Sequence, residues 1–379
     1  MRLSTDTDSR FHRQGLITWW DQEKLSNSKV LVVGAGALGN EIVKNLALVG
    51  VGSIVVCDMD SIENSNLSRC IFFRPSDLGK SKAEVLASRA REIYEEVSVA
   101  AENKAIQRLG LAFLGSFDLI IGALDNREAR AWVNQACRKL GKTWIDGAIE
   151  GLRGLVRMFA SDGPCYYCTL SESDFVQMSH RRSCALLSPE DLLAGKTPTN
   201  ATTASIIAGV QVQEAVKFLV GKTELNSLVG KAWMFTGDVM DSYITKYAED
   251  EYCLAHDTYG TIESLVFESL GSLIEQLAVG SDDFEDLAID FEDELVTLQA
   301  CSACPGGTKL IQFRSSLPEG AGRCSHCSGE LSGGFQTSAS YADPVMQLNT
   351  KELEFARDDV VTVRWGTSRR HFLVRGDGQ

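Results

Sequence analysis

The stretch from position 29 to position 69, KVLVVGAGALGNEIVKNLALVGVGSIVVCDMDSIENSNLSR, constrains the fold more than any other part of the chain. It reads as an apolar strand, a glycine turn, a helix and a second apolar strand. Gly34, Gly36 and Gly39 make a GxGxxG turn between the first strand and a helix that begins near Ala37. Glycines there let the backbone approach a phosphate, and the helix N-terminus behind them supplies free N–H groups and the positive end of a dipole. The second strand ends in Asp58, well placed to hydrogen-bond a ribose hydroxyl. The pattern marks a nucleotide site on an α/β sheet. Alone it serves dinucleotide oxidoreductases equally well.

The residues beyond Asp58 shift that reading toward a nucleoside triphosphate. Asn66 and Arg69 follow closely, the run DLGKSKAEVL carries Lys82 into a new helix, and DLIIGALDN puts Asp125 just past another buried strand. Ligands of open α/β sheets bind at the carboxyl ends of strands. Two cations and a carboxylate suited to magnesium fit a triphosphate better than a nicotinamide. Gly-Lys-Ser/Thr also occurs at 79, 141, 195 and 221, but none is a P-loop. The glycine required five residues earlier is Arg74, Ala136, Glu190 and Val216.

At 379 residues, with 44% hydrophobic and 23% charged, the chain has a soluble globular composition and the length for two domains. No segment has the apolar length of a membrane span and the first ten residues lack a signal peptide's apolar core, so a cytoplasmic location without a membrane partner is expected. A net charge of −14 without a basic cluster argues against nucleic acid. Eight acids between 281 and 295 read as a solvated surface.

Seven of the eleven cysteines fall in short paired motifs, which in a cytosolic chain are metal ligands before they are disulfides. Cys301, Cys304, Cys324 and Cys327, with nineteen residues between the two pairs, spell a zinc ribbon. Cys165 and Cys168 form a metal knuckle in GPCYYC, and Cys253 stands in CLAH. Cys57, Cys70 and Cys137 read as core residues.

Taken in order, a charged arm (RFHRQ at 10–14) is expected to pack across the domain or onto a partner subunit. Helices are expected at 82–97, 127–140 and 202–220, and strands at 143–148 and 231–239. The strand within 151–160 begins an antiparallel extension. A long polar crossover loop occupies 171–200. The texture changes near Thr258, giving domains at 1–257 and 258–379. The second opens with an amphipathic helix at 262–277 and ends in two strand-like pieces, DVVTVRW and RRHFLV. The expected fold is a Rossmann-like, doubly wound, mostly parallel sheet with an antiparallel extension, plus a small C-terminal zinc-ribbon domain.

RFHRQ, the glycine turn with its two strands, the lysine of LGKSK, the DN of GALDN, GPCYYC and the helix TTASIIAGVQVQEAVKFL come in one family's order. Over about residues 10–256 the chain resembles the ThiF/MoeB and ubiquitin-activating enzymes. That resemblance implies ATP-dependent adenylation of the C-terminal glycine of a ubiquitin-like or sulfur-carrier protein. It places Asp58 on the ATP ribose, Gly34, Gly36 and Gly39 under the phosphates, Asn66, Arg69 and Lys82 on the phosphates, and Asp125 at Mg2+. It sends Arg13 into the other subunit's site in a homodimer. It gives Cys184, preceded by His180, Arg181 and Arg182, the part of a thioester nucleophile that hands its cargo to a conjugating enzyme. It also makes Cys165, Cys168 and Cys253 zinc ligands, with His256 replacing the usual fourth cysteine. By position alone, the C-terminal domain is expected to recruit the conjugating enzyme or the substrate. Three other readings stand beside this one: a sulfur-carrier adenylyltransferase that does not need Cys184, an NAD-dependent oxidoreductase, and a non-catalytic scaffold.

Overall fold

A computed structural model describes residues 9–175, 198–277, 287–317 and 321–374, apart from 223, 226, 302, 306–309 and 357. These form two compact units, one of residues 9–106, 115–175 and 198–258, the other of 107–114 and 259–374.

The first unit is built on an eight-stranded sheet. Strands β1 (Lys29–Val33), β2 (Ser53–Cys57), β3 (Ser98–Glu102), β4 (Leu119–Gly122) and β5 (Trp144–Glu150) pair in parallel with one another. The antiparallel extension is β6 (Arg153–Phe159), β7 (Lys231–Thr236) and β8 (Asp241–Lys246). The spatial order is β3-β2-β1-β4-β5-β6-β7-β8, so chain order reverses direction between β1 and β4. Four of the five residues of β1 and of β2 are buried, as continuous apolar runs predict for a sheet covered on both faces.

Helices cover the sheet: α1 (Gln22–Asn27), α2 (Ala37–Val49), α3 (Lys82–Ala90), α5 (Arg127–Lys139) and α6 (Ala201–Leu219), while α4 (Leu111–Gly115) falls almost wholly in the second unit. Helix α2 stops at Gly50, whose φ of 77° and N–H to the Ala47 and Leu46 carbonyls make a left-handed cap. Helix α6 lies directly on the sheet, because a Cβ on Gly154 would come within 2.5 Å of the Ile207 side chain and one on Gly147 within 2.4 Å of Gln211.

The second unit has a six-stranded sheet of β9 (Ile262–Ser264), β10 (Leu287–Cys301), β11 (Leu310–Phe313), β12 (Leu331–Ser340), β13 (Asp359–Trp365) and β14 (Ser368–Val374). Helix α7 (Leu270–Leu277) packs with Phe267, Phe291, Val361 and Phe372 in its core.

Several local expectations need correction. The helix foreseen at 262–277 is only α7. Residues 262–264 instead pair in parallel with β14, which draws this short stretch into the sheet. The acidic stretch does not stay a solvated surface, because its second half enters β10. There Asp290 pairs with Arg364, Glu292 accepts from the Tyr259 hydroxyl, and Glu294 pairs with Arg314. The helix foreseen at 82–97 ends at Ala90, and the strand foreseen at 231–239 ends at Thr236, where the chain turns into β8. The arm at 10–14, by contrast, takes the first of its two expected placements and packs on its own unit: Arg10 donates to the Ile93 carbonyl at 2.7 Å, and Phe11 meets Tyr94 edge-on.

Two glycines of the turn make a discriminating pair. A Cβ on Gly39 would lie 2.0 Å from the Gly34 carbonyl oxygen, whereas one on Gly36 would have nothing within 4 Å. Gly39→Ala should therefore destabilise the protein by about 1–3 kcal/mol in urea unfolding, despite the roughly 1 kcal/mol that alanine gains in a helix. Gly36→Ala should leave stability within about 0.5 kcal/mol.

Candidate functional site

The crevice between the ends of β1 and β4 is where an open α/β sheet takes its ligand. Its floor is backbone against backbone. Gly34, at φ 105°, donates to the Cys57 carbonyl at 2.8 Å, and Ala123 donates to that of Val33 at 2.7 Å. A Cβ on Gly34 would sit 2.4 Å from the Ala123 carbonyl oxygen. Gly36, the N-cap of α2, has an extended backbone and open space at its Cβ position, so none of the described residues requires glycine there. A ligand lying close to the backbone does require it.

Asp58 holds this turn from the side. Its Oδ2 accepts from the Ala35 N–H at 2.6 Å and its Oδ1 from the Asp60 N–H at 2.8 Å, which leaves lone pairs on both oxygens. Burial pushes its carboxyl above the ordinary aspartate value, against the pull of the Ala35 N–H and of Lys82. Lys82 opens α3 and puts Nζ 2.7 Å from Asp60 Oδ2. Burial works against its charge, yet Asp60, with Asp58 and Asp125 behind it, lifts its pKa above the usual lysine value. Asp125 is exposed at the end of β4 and feels that same lysine.

Asn66 is buried in a short 3-10 turn, where its Oδ1 accepts the Glu63 N–H at 2.8 Å. Arg69 is half-buried and donates Nη1 to the Ser65 carbonyl at 2.7 Å. Arg13 stands exposed ahead of the turn Gln14–Leu16. Cys184, with the basic residues before it and most of the crossover loop, lies outside the described residues.

Both cysteine sets converge. In each, the four candidate ligand atoms lie within 4.8 Å of one another. In the first set, Cys165 Sγ is 3.7 Å from Cys253 Sγ and 3.8 Å from Cys168 Sγ, and Cys168 Sγ is 3.3 Å from His256 Nε2. The other ring nitrogen of His256 faces Glu249 at 3.5 Å. In the second set, Cys301 and Cys327 are 3.4 Å apart and Cys304 and Cys324 3.7 Å. Tetrahedral bonds of about 2.3 Å give sulfur–sulfur edges of about 3.8 Å, so both sets fit zinc. Gly329 belongs to the second site by necessity, since a Cβ there would crowd Cys301 and Cys327 Sγ at 3.2 Å. At Cys301 the N–H of Ala303 helps hold the thiol down to about 7, toward the thiolate that a metal takes.

Two residues of the crevice escape a reading of motifs. Asn40, fully buried, donates to the carbonyls of Ala35 and Gly36 at 2.8 and 3.0 Å and accepts from the Phe72 N–H at 3.1 Å, tying the glycine turn to the segment beyond β2. A polar residue closing the otherwise apolar first turn of α2 (ALGN) was its one signal. Asp60 gave none, because its part depends on where Lys82 comes to rest.

Comparison with known proteins agrees with this geometry. The model of the ThiF family matches residues 9–255. The chain is 40% identical over 189 residues to the NEDD8-activating enzyme E1 catalytic subunit of Caenorhabditis elegans, covering 45% of this chain and 43% of that protein. It is 33% identical over 227 residues to the SAMP-activating enzyme E1 of Haloferax volcanii, covering 58% and 76%. It is 32% identical over 216 residues to adenylyltransferase and sulfurtransferase MOCS3-2 of Zea mays, covering 56% and 42%. The chain thus spans about half or less of the worm and maize relatives. Among solved structures, Escherichia coli MccB shares the fold at a TM-score of 0.55 and 22% identity, over 70% of this chain and 76% of that one. With the match running through both strands, the glycine turn and the first knuckle, the chain belongs to the ThiF family.

Proposed function

We propose that this protein uses ATP to adenylate the C-terminal glycine of a ubiquitin-like or sulfur-carrier protein. One observation carries the reading: Lys82 and three carboxylates, Asp58, Asp60 and Asp125, converge beside a glycine turn whose middle member leaves its Cβ space open. The names of the relatives support the class, since they include activators of NEDD8 and of SAMP and an adenylyltransferase.

On this reading the phosphates lie over Gly34, Gly36 and Gly39, and Asp58 turns its free lone pairs to the ribose. Lys82 exchanges Asp60 for a phosphate, with Arg69 and the amide of Asn66 alongside, and Arg13 reaches in from the second copy of a homodimer. Asp125 holds Mg2+, which when bound supplies positive charge across the phosphates. A carboxylate oxygen of the substrate's terminal glycine attacks the α-phosphorus. The bond from that phosphorus to the bridging oxygen breaks and pyrophosphate leaves, with no proton transferred. Fixed cations aimed at the developing charge lower the barrier. The Cys184 thiolate then attacks the acyl carbon, the bond to AMP breaks, and the thioester passes to a conjugating enzyme. The zinc ribbon beyond residue 258 recruits that enzyme or the substrate. A second reading, supported by the likeness to the maize adenylyltransferase and sulfurtransferase, stops at the adenylate and does not need Cys184.

ATP–pyrophosphate exchange that depends on a ubiquitin-fold protein tests the first step. Lys82→Met should slow it by about 100-fold or more with the circular dichroism unchanged. No exchange with any ubiquitin-fold protein would reject the reading. Cys184→Ala should keep exchange and lose a reductant-sensitive covalent adduct, while full downstream activity of that variant would favour the sulfur-carrier reading. Elemental analysis should find two zinc ions per chain and one after Cys324→Ser, and a metal-free wild type would refute both structural sites.

A further inference from the structure

Behind the crevice lies a buried charge cluster that the chemistry above does not use. Asp146, on β5, has no exposed surface and accepts from two arginines at once. Its Oδ1 takes the Nε–H of Arg130 at 2.9 Å, and its Oδ2 takes the Nε–H of Arg157 at 3.1 Å and the Nη2–H of the same guanidinium. The arginine side chains are only 10% and 11% exposed. Two guanidiniums buried on one carboxylate are costly unless their remaining N–H groups find partners. Arg157 turns toward the first knuckle, with Nη1 3.4 Å from Thr169 Oγ1 and its guanidinium 4.8 Å from the Tyr166 ring centre. Arg130 turns to the backbone, where Nη2 donates to the carbonyls of Leu124 and Gly147, the latter at 3.2 Å.

Leu124 immediately precedes Asp125. One residue further back, Ala123 donates to β1. On the other side of Asp125, Asn126 caps α5 by accepting the Ala129 N–H at 2.8 Å. Asp125 is thus an exposed carboxylate between two anchored neighbours, and the anchor on its N-terminal side is a guanidinium fixed in turn by a buried acid. Groups that meet a metal are oriented by such supporting bonds, and their loss costs affinity. Arg130 serves Asp146 and the Leu124 carbonyl from two separate nitrogens, Nε and Nη2, a spacing that the single nitrogen of an ammonium does not reproduce.

We infer that Arg130 is a positioning residue for Asp125: through the Leu124 carbonyl it fixes the peptide from which that carboxylate projects, while Asp146 keeps the guanidinium in place. The inference deepens the reading above and rests on it, because it takes Asp125 as the carboxylate that meets the divalent cation of bound ATP.

Calorimetry with ATP as the probe, in excess Mg2+ and again in EDTA, tests it on the full chain. Arg130→Lys leaves Arg157 on Asp146, so no buried carboxylate is orphaned and the fold is retained. Its Mg2+-linked gain in ATP affinity should fall about tenfold, with affinity in EDTA unchanged within about twofold. Asp125→Asn should lose that gain, and adding Arg130→Lys to it should cost nothing more, because both act through one carboxylate. Arg157→Lys, which shares Asp146 but does not touch Leu124, should keep the gain. Arg130→Gln is held to the same outcome as the lysine variant should the latter fold poorly. Equal weakening with and without Mg2+, an unchanged gain, or additive loss in the double variant would overturn the inference and leave the reading intact. Wild-type protein that binds no ATP would remove the reading, and the inference with it.

Discussion

The approach of Gly34 to Ala123 sets the shape of the crevice, and it works because neither strand end carries bulk there. A Cβ on Gly34 would fall 2.4 Å from the Ala123 carbonyl oxygen, and one on Gly39 would fall 2.0 Å from the carbonyl of Gly34. Strand, turn and helix are therefore stacked with backbone in contact, and α2 starts close against β4. Asn40 then closes the structure from the helix side, holding the carbonyls of Ala35 and Gly36 while accepting from Phe72. The turn is braced by three separate pieces of chain before any ligand arrives, so binding need not order it.

That bracing explains what could be read in the sequence. The apolar runs of β1 and β2, the glycine spacing and the paired cysteines are local signals, each complete within a few residues, and they lead directly to the sheet, the crevice and the two metal sets. Asn40, Asp60 and the Arg130–Asp146–Arg157 cluster are different, since each draws its meaning from a partner distant in sequence. Asp146 meets Arg130 from sixteen residues away and Arg157 from eleven. Asn66 shows a further limit. Its residue type suits a phosphate, yet its Oδ1 already caps its own turn through Glu63. In the second unit, acids in the sequence of β10 conceal an alternation that becomes visible only once Arg364 and Arg314 pair with them.

The two metal sets also differ in a way that follows from their ligands. The first offers three sulfurs and a ring nitrogen and sits against the core, with Cys165 buried beside Tyr166 and Asn134. The second offers four sulfurs, with Cys327 exposed. With neutral imidazole and thiolate ligands, zinc in the first site would carry a net charge of −1 and in the second −2 by ligand count. Replacing a thiolate by an imidazole where burial is deeper reduces the charge that must be desolvated. The departure from an all-cysteine first site is thus physically coherent with where that site lies.

Charge also decides how the crevice could hold a triphosphate. Lys82 and Arg69 supply two positive charges, while Asp58, Asp60 and Asp125 supply three negative ones, in a chain whose net charge is −14. Within one chain these side chains therefore leave the crevice at about −1, which repels ATP rather than attracting it. Backbone N–H groups and the helix dipole at the glycine turn contribute only about half a unit of positive charge. On the proposed reading, a divalent cation would then strengthen binding and loosen the hold of Asp60 on Lys82. With a cation held at Asp125, the field that ties Lys82 to its carboxylates would weaken, and the ammonium would be freer to meet a phosphate. On that reading the acids around Lys82 would hold its ammonium in place while the site is empty, and a metal-linked gain in nucleotide affinity would follow.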